Sequence, residues 1–244
     1  MAAIVPPLEI QAPTGGAMPP ERLPSMSRTR IGRLADSRTV QLLIENDQGE
    51  LESFGFDAIS EALVCAGSPL INVAFARLPA GEVRDRVVLP GSDTQSYTYI
   101  FNHLQAQLDA RRQLDLPIIE NEPIMAHVRI GEAALNLGMS SVFDTLNIRT
   151  MQEILNPDLH TSYLQVSATE FENVVTTFLS HHDLHVQIID AVGRAMACQR
   201  LEDQHLAGIR RVLEENQIIR DEVREAEGRW IRKGQAGEDI YKAQ

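Results

Sequence analysis

The sequence predicts an α+β fold, and three observations carry that expectation. Two short apolar runs, residues 40–44 and 51–56, stand early in the chain on either side of the turn residues Asn46-Asp47-Gln48-Gly49. Beyond residue 90, apolar residues recur at spacings of three and four, the period of helix faces. Strands come first and helices follow in runs, which separates α+β from the strict alternation of α/β folds.

Six of the twelve prolines fall in the first 24 residues, with Gly15-Gly16 among them. Proline removes a backbone donor and blocks helix, so residues 1–35 are expected to form an arm without structure of its own. Val40, Leu42 and Ile44 then begin a strand, and Gly49 supplies the positive φ of the turn. Residues 51–56 alternate apolar and polar as the return strand of a hairpin. Residues 58–65 are compatible with helix. Ser68 is placed to cap a second helix with Pro69 in its first turn. Residues 78–85 read as a loop and Arg86-Val87-Val88-Leu89 as a third strand. Tyr97, Ile100, Phe101, Leu104 and Leu108 mark one face of the next helix. Residues 124–136 form another, closed by Gly138, and Ser140-Ser141 restarts a helix bearing Val142, Phe143, Leu146 and Ile148. Residues 167–233 contain no proline and predict two or three helices with a break near Ser180-His181-His182-Asp183.

Composition narrows the function. The 244 residues carry 22 Lys+Arg against 34 Asp+Glu, a net charge of −12, which argues against a nucleic-acid partner. A hydrophobic content of 43% is too high for wholesale disorder. No apolar run approaches the ~18 residues that span a bilayer, and Met1-Ala-Ala-Ile-Val-Pro-Pro lacks the basic region of a secretory signal. Cys65 and Cys198 are too few for a disulfide framework. No membrane association is expected, and a cytoplasmic or nuclear location is.

Between residues 40 and 155 the chain resembles the BTB/POZ domain, in the divergent form common in filamentous fungi. The resemblance rests on the two strands, on Glu61-Ala-Leu-Val-Cys-Ala-Gly-Ser-Pro69, on Arg86-Val-Val-Leu-Pro-Gly-Ser-Asp93, and on Ile130-Gly-Glu-Ala-Ala-Leu-Asn-Leu-Gly-Met139. Ser60 and Glu61 stand where the family usually has His and a basic residue, and Thr39 where it commonly has Asp. The resemblance implies a BTB/POZ-like domain over 36–157, a helical extension over 158–244, and a scaffold rather than an enzyme. Its implied partners are a second copy, another BTB protein, or a cullin in ubiquitin-ligase assembly. The candidate cullin segment is Ala80-Gly81-Glu82, whose first residue is small for pocket filling.

The alternative reading is a metal-dependent hydrolase built on His181, His182 and His185. On a helix, His181 and His185 share a face at the spacing that lets two imidazoles reach one metal. The residue after His181 is His rather than the Glu of a zincin, and a third ligand would come from Asp183 or Glu170. A solvated helix boundary is the simpler reading, and no catalytic, cofactor or metal residue is assigned. Cys65 lies in an apolar stretch and reads as a small buried hydrophobe. Glycine-rich phosphate loops and the Gly-x-Ser-x-Gly elbow are absent from the sequence.

Residues 200–233 hold eight basic and eight acidic residues. Ile209, Val212, Asn216, Ile219, Val223, Ala226 and Trp230 trace a heptad-like seam. The seam either pairs between chains as a short coiled coil or folds back on its own domain, and its short length favours folding back.

Overall fold

The computed structural model describes residues 6–10, 23, 26–46, 48–91, 93–112, 114, 116, 117, 119, 123–139 and 142–242. The chain divides into two compact units. The first comprises residues 1–117 and 128–147, the second residues 118–127 and 148–244. The division differs from the expected boundary at 157, because the chain enters the second unit at 118, returns to the first at 128, and leaves it again at 147.

In the first unit, strands β1 (Leu8–Glu9), β5 (Arg86–Leu89), β2 (Thr39–Glu45) and β3 (Leu51–Ser53) lie in that order across a sheet. A short β4 (Ile59–Ser60) pairs antiparallel with the start of β2. Val40, Leu42, Leu43 and Ile44 of β2 are all buried, as are Val87, Val88 and Leu89 of β5. Consecutive burial, rather than alternation, marks central strands covered on both faces. The β2–β3 hairpin is antiparallel, whereas β2 and β5 are parallel with Leu42 opposite Val87 and Leu43 opposite Val88. A parallel pair needs a crossover, and helices α2 (Glu61–Gly67) and α3 (Pro69–Ala76) lie within it.

Local chemistry sets these boundaries. Asn46 Oδ1 accepts from the backbone N–H groups of Gln48 and Glu50 at 3.0 and 2.9 Å, and Gly49 adopts φ +79°. The return strand ends at Ser53, earlier than alternation predicts, because Gly55 turns the chain at φ +100°. Phe54 and Phe56 lie beyond β3, Phe56 O still accepting from Leu42 N at 2.9 Å, and their rings meet that of Phe101 at 6.3 and 5.7 Å. Ser60 caps α2, which starts three residues later than expected. Ser68 caps α3 by accepting from Ile71 N at 3.2 Å, with Pro69 in the first turn, as the sequence predicts. The same hydroxyl donates to Leu137 O at 2.7 Å, so this one buried group fixes α3 against the end of α5 (Pro123–Asn136). Asp93 caps α4 (Thr94–Ala110) by accepting from Ser96 N. Gly138, at φ +68°, terminates α5 as expected, with Met139 N donating to Ala134 O at 2.9 Å. Helix α6 (Val142–Leu155) then carries the chain into the second unit.

The arm departs from its expected lack of structure. Leu8–Glu9 pairs in parallel with β5, and Arg28–Arg33 forms helix α1. Ile10, Leu23 and Ile31 are buried, Ile31 at 1% exposure. Pro13, Pro19, Pro20, Pro24, Gly15 and Gly16 lie outside the described residues. Proline content thus hid apolar residues that reach a core across the sequence.

Between residues 167 and 233 the second unit holds four helices where two or three were expected: α7 (Ala168–Thr177), α8 (Asp183–Ala197), α9 (Asp203–Glu215) and α10 (Gln217–Gln235). The break near 180–183 is present, and two others carry no glycine or proline signal. Gln199 sits at φ +56° in the turn that closes α8, with Arg200 N donating to Ala195 O at 2.7 Å. A left-handed conformation costs a non-glycine residue about 1 kcal/mol or more. The bridge between Leu164 and Leu201, with Leu164 N donating to Arg200 O, holds the turn in place. Asn216 ends α9 and caps α10, accepting from Ile219 N at 3.2 Å. The expected continuous seam is therefore two helices, and Asn216 is an exposed cap rather than a buried register residue. Ile209, Ile219, Val223, Ala226 and Trp230 are buried within this unit, so the seam is used internally and is not free for a coiled coil. Helices α8 and α10 run side by side, and a Cβ added at Gly193 would lie 2.6 Å from Ala226 Cβ. Among the described residues, no helix is long and apolar enough to cross a membrane.

Candidate functional site

The three histidines singled out by spacing stand in three different settings. His181 is exposed on the turn before α8 and lies outside the helix, so it does not share a helical face with His185. His182 is the N-cap of α8: its Nδ1 accepts from Leu184 N at 3.2 Å, and its ring stacks on Phe178 at 4.5 Å. His185 is buried. Its Nδ1 lies 3.1 Å from Phe178 O and its Nε2 2.9 Å from Glu222 Oε2 on α10. Both ring nitrogens of His185 thus lie within hydrogen-bond distance of an oxygen, one from the chain just before α8 and one from α10. Glu170 points elsewhere, its carboxyl accepting from Ile124 N at the start of α5, and Asp183 opens α8 on the exposed side. Among the described residues, no group of three His, Cys, Asp or Glu side chains could hold a metal ion. His182 is engaged in capping, His185 and Glu170 in packing, and His181 lies off the helix, which corrects the shared helical face on which the hydrolase alternative depended.

The Glu222 partner of His185 lies 37 residues away, on a helix that sequence spacing cannot align with α8. The same helix pair holds a second polar cluster. Asp190 Oδ1 accepts from Trp230 Nε1 at 3.1 Å and from Arg229 Nη2 at 3.0 Å. Lys233 Nζ lies 4.2 Å from the Trp230 ring centroid, and the Arg194 guanidinium 5.7 Å from it. Arg194 is 1% exposed and donates to Pro157 O at 3.3 Å, and burial pulls its pKa below the usual arginine value. These contacts tie α8, α10 and the segment after α6 together, a structural role.

Cys198 lacks the surroundings of a nucleophile. Cys198 is buried, its Sγ lies 3.4 Å from Ile240 O, and burial pushes its thiol pKa up. Cys65 is half-buried rather than fully buried, because it sits on the side of α2 away from Leu63, Val64 and Ala66.

The segment Ala80-Gly81-Glu82 forms a tight turn after α3, with Gly81 at φ +84° and Glu82 N donating to Pro79 O at 3.0 Å. Ala80 is exposed, Val83 is 58% exposed, and the Glu82 carboxylate is paired with Arg84. In the second unit, a groove of about 700 Å³ is lined by Tyr163, Met196, Gln199, Leu206 and Arg210, with Glu202, Asp203 and Glu227 among its walls. Its mixed polarity and absence of convergent buried donors give it no assigned chemistry.

No family model, no curated protein and no solved structure matches this chain.

Proposed function

We propose that the chain is a protein-interaction module whose first unit is a BTB/POZ-like domain acting by self-association or partner docking, and that it works as a scaffold rather than as a catalyst. The observation that carries this reading is the strand arrangement of the first unit. An antiparallel β2–β3 hairpin is followed by the helix pair α2–α3, then by β5 returning parallel to β2, then by further helices. That order of elements supports the resemblance drawn from residues 40–155, with Ser68-Pro69 and Leu137-Gly138 meeting through the Ser68–Leu137 hydrogen bond.

A second copy of the chain, or another BTB protein, is the preferred partner. Cullin docking is less favoured, because Ala80 offers a single methyl group and Glu82 is already paired with Arg84. The net charge of −12 supports a protein partner over nucleic acid. Two free cysteines suit the cytoplasm or nucleus. Co-expression of two differently tagged copies tests the reading. Capture of one tag is expected to recover the other copy in near-equal amount. Recovery of neither a second copy nor a BTB or cullin protein would remove the proposal.

A further inference from the structure

The first unit carries a concentration of positive charge that the overall acidity conceals. Arg28, Thr29, Gly32, Arg33 and Asp36 fall at offsets of zero, one, four, five and eight, so they share one face of α1 and the short 3₁₀ turn that extends it. Arg111, at the C-terminal end of α4, completes a pocket of about 400 Å³ with these five residues. Arg28, Arg33 and Arg111 are exposed, and none forms an ion pair among the described residues, although Asp36 stands in the same wall. Arg30 and Arg112 are exposed nearby in sequence.

Two features position Arg111 in this wall. Arg111 adopts φ +50°, a left-handed conformation that glycine would occupy without strain, while its N–H donates to Leu108 O at 3.0 Å. The position opposite is a glycine: a Cβ at residue 32 would come within 3.4 Å of Arg111 Cδ and Nε. The Arg111 stem thus lies along α1 at ordinary contact distance, with its guanidinium in the same pocket wall as Arg28 and Arg33.

We propose that this pocket binds a small-molecule diphosphate. Three guanidinium groups against one carboxylate leave two uncompensated positive charges, which a diphosphate of about two to three negative charges matches better than a carboxylate does. The pocket is several times the volume of one phosphoryl group, leaving room for two. Guanidinium forks also recognise phosphoryl oxygens bidentately, a geometry that lysines do not supply. The chain as a whole carries a net charge of −12, so affinity for an anion must arise locally. The inference does not depend on the BTB-like reading.

The test is calorimetric titration of the full chain with inorganic pyrophosphate at low salt, using wild type, Arg111→Gly and the double variant Arg28→Gln/Arg33→Gln. Arg111→Gly separates function from folding, since glycine suits the left-handed position and is expected to preserve or raise the melting temperature. Each variant is expected to weaken binding by about 10-fold or more, the effect of losing a charge-assisted hydrogen bond. Arg210→Ala, in the second unit, is expected to leave the affinity unchanged. A parallel titration with ADP distinguishes the source of the diphosphate: tighter binding than pyrophosphate assigns a nucleotide, and equal binding assigns the diphosphate alone. Absence of pyrophosphate binding to wild type, or equal affinity in wild type and Arg111→Gly, would overturn the proposal.

Discussion

Replacing Gly193 by alanine probes the contact on which the second unit depends. Gly193 lies on α8 where α10 crosses most closely, and an added Cβ would lie 2.6 Å from Ala226 Cβ and 2.8 Å from Glu227 N. Ordinary contacts between such atoms run about 3.5–4.0 Å, so the helices must separate by about 1 Å. Neither a backbone nitrogen nor a Cβ can rotate away. Overpacking of this kind costs about 1–3 kcal/mol, with the upper half of the range applying here. Alanine returns about 1 kcal/mol of helix propensity. The net expectation is a loss of about 1–2 kcal/mol, lowering the melting temperature by about 2–8 °C for a chain of this size. Gly228→Ala is the control on the partner helix: its Cβ would meet only the mobile end of Arg232 at 3.4 Å, so it is expected to stabilise by up to about 1 kcal/mol. Thermal unfolding followed by circular dichroism reads both variants. Gly193→Ala as stable as wild type, or moving with Gly228→Ala, would refute the close helix approach.

Glu170→Ala removes the buried acceptor of Ile124 N and is expected to cost about 2–3 kcal/mol in urea unfolding, with Glu170→Gln costing less because it keeps an acceptor oxygen. A loss below about 0.5 kcal/mol for the alanine variant would show that α5 starts without this cap. Deleting residues 1–35 is expected to lower the melting temperature by several degrees or more, since burial of Ile10, Leu23 and Ile31 contributes about 1.5–3 kcal/mol each. An unchanged melting temperature would return the arm to a passive tail.

What was legible in the sequence was short-range. Ser68-Pro69 announced the start of α3, and Gly138 the end of α5, because each acts on backbone within a few residues of itself. Strand β2 and its turn were legible for the same reason. The breaks at Gln199 and Asn216 were not, since tertiary contacts rather than local propensity impose a left-handed glutamine and turn an apparent seam residue into a cap. The arm was misread because composition reports backbone freedom and not the three aliphatic side chains that find a core. The histidine cluster misled in the opposite sense: spacing suggested convergence, whereas His182 is used by its own helix end and His185 by Glu222 from α10. The pocket signal at Arg28, Gly32 and Arg33 was present in the sequence as a helical spacing, but Arg111 joins it only through the packing of α1 on α4.

Light scattering on the full chain, coupled to size exclusion, tests the interaction-module account most directly. Folding back of Ile209, Ile219, Val223 and Trp230 into the second unit leaves self-association to the first, and the account predicts a particle of twice the 27.1 kDa chain mass that persists on dilution. A particle of one chain mass at every concentration would contradict it.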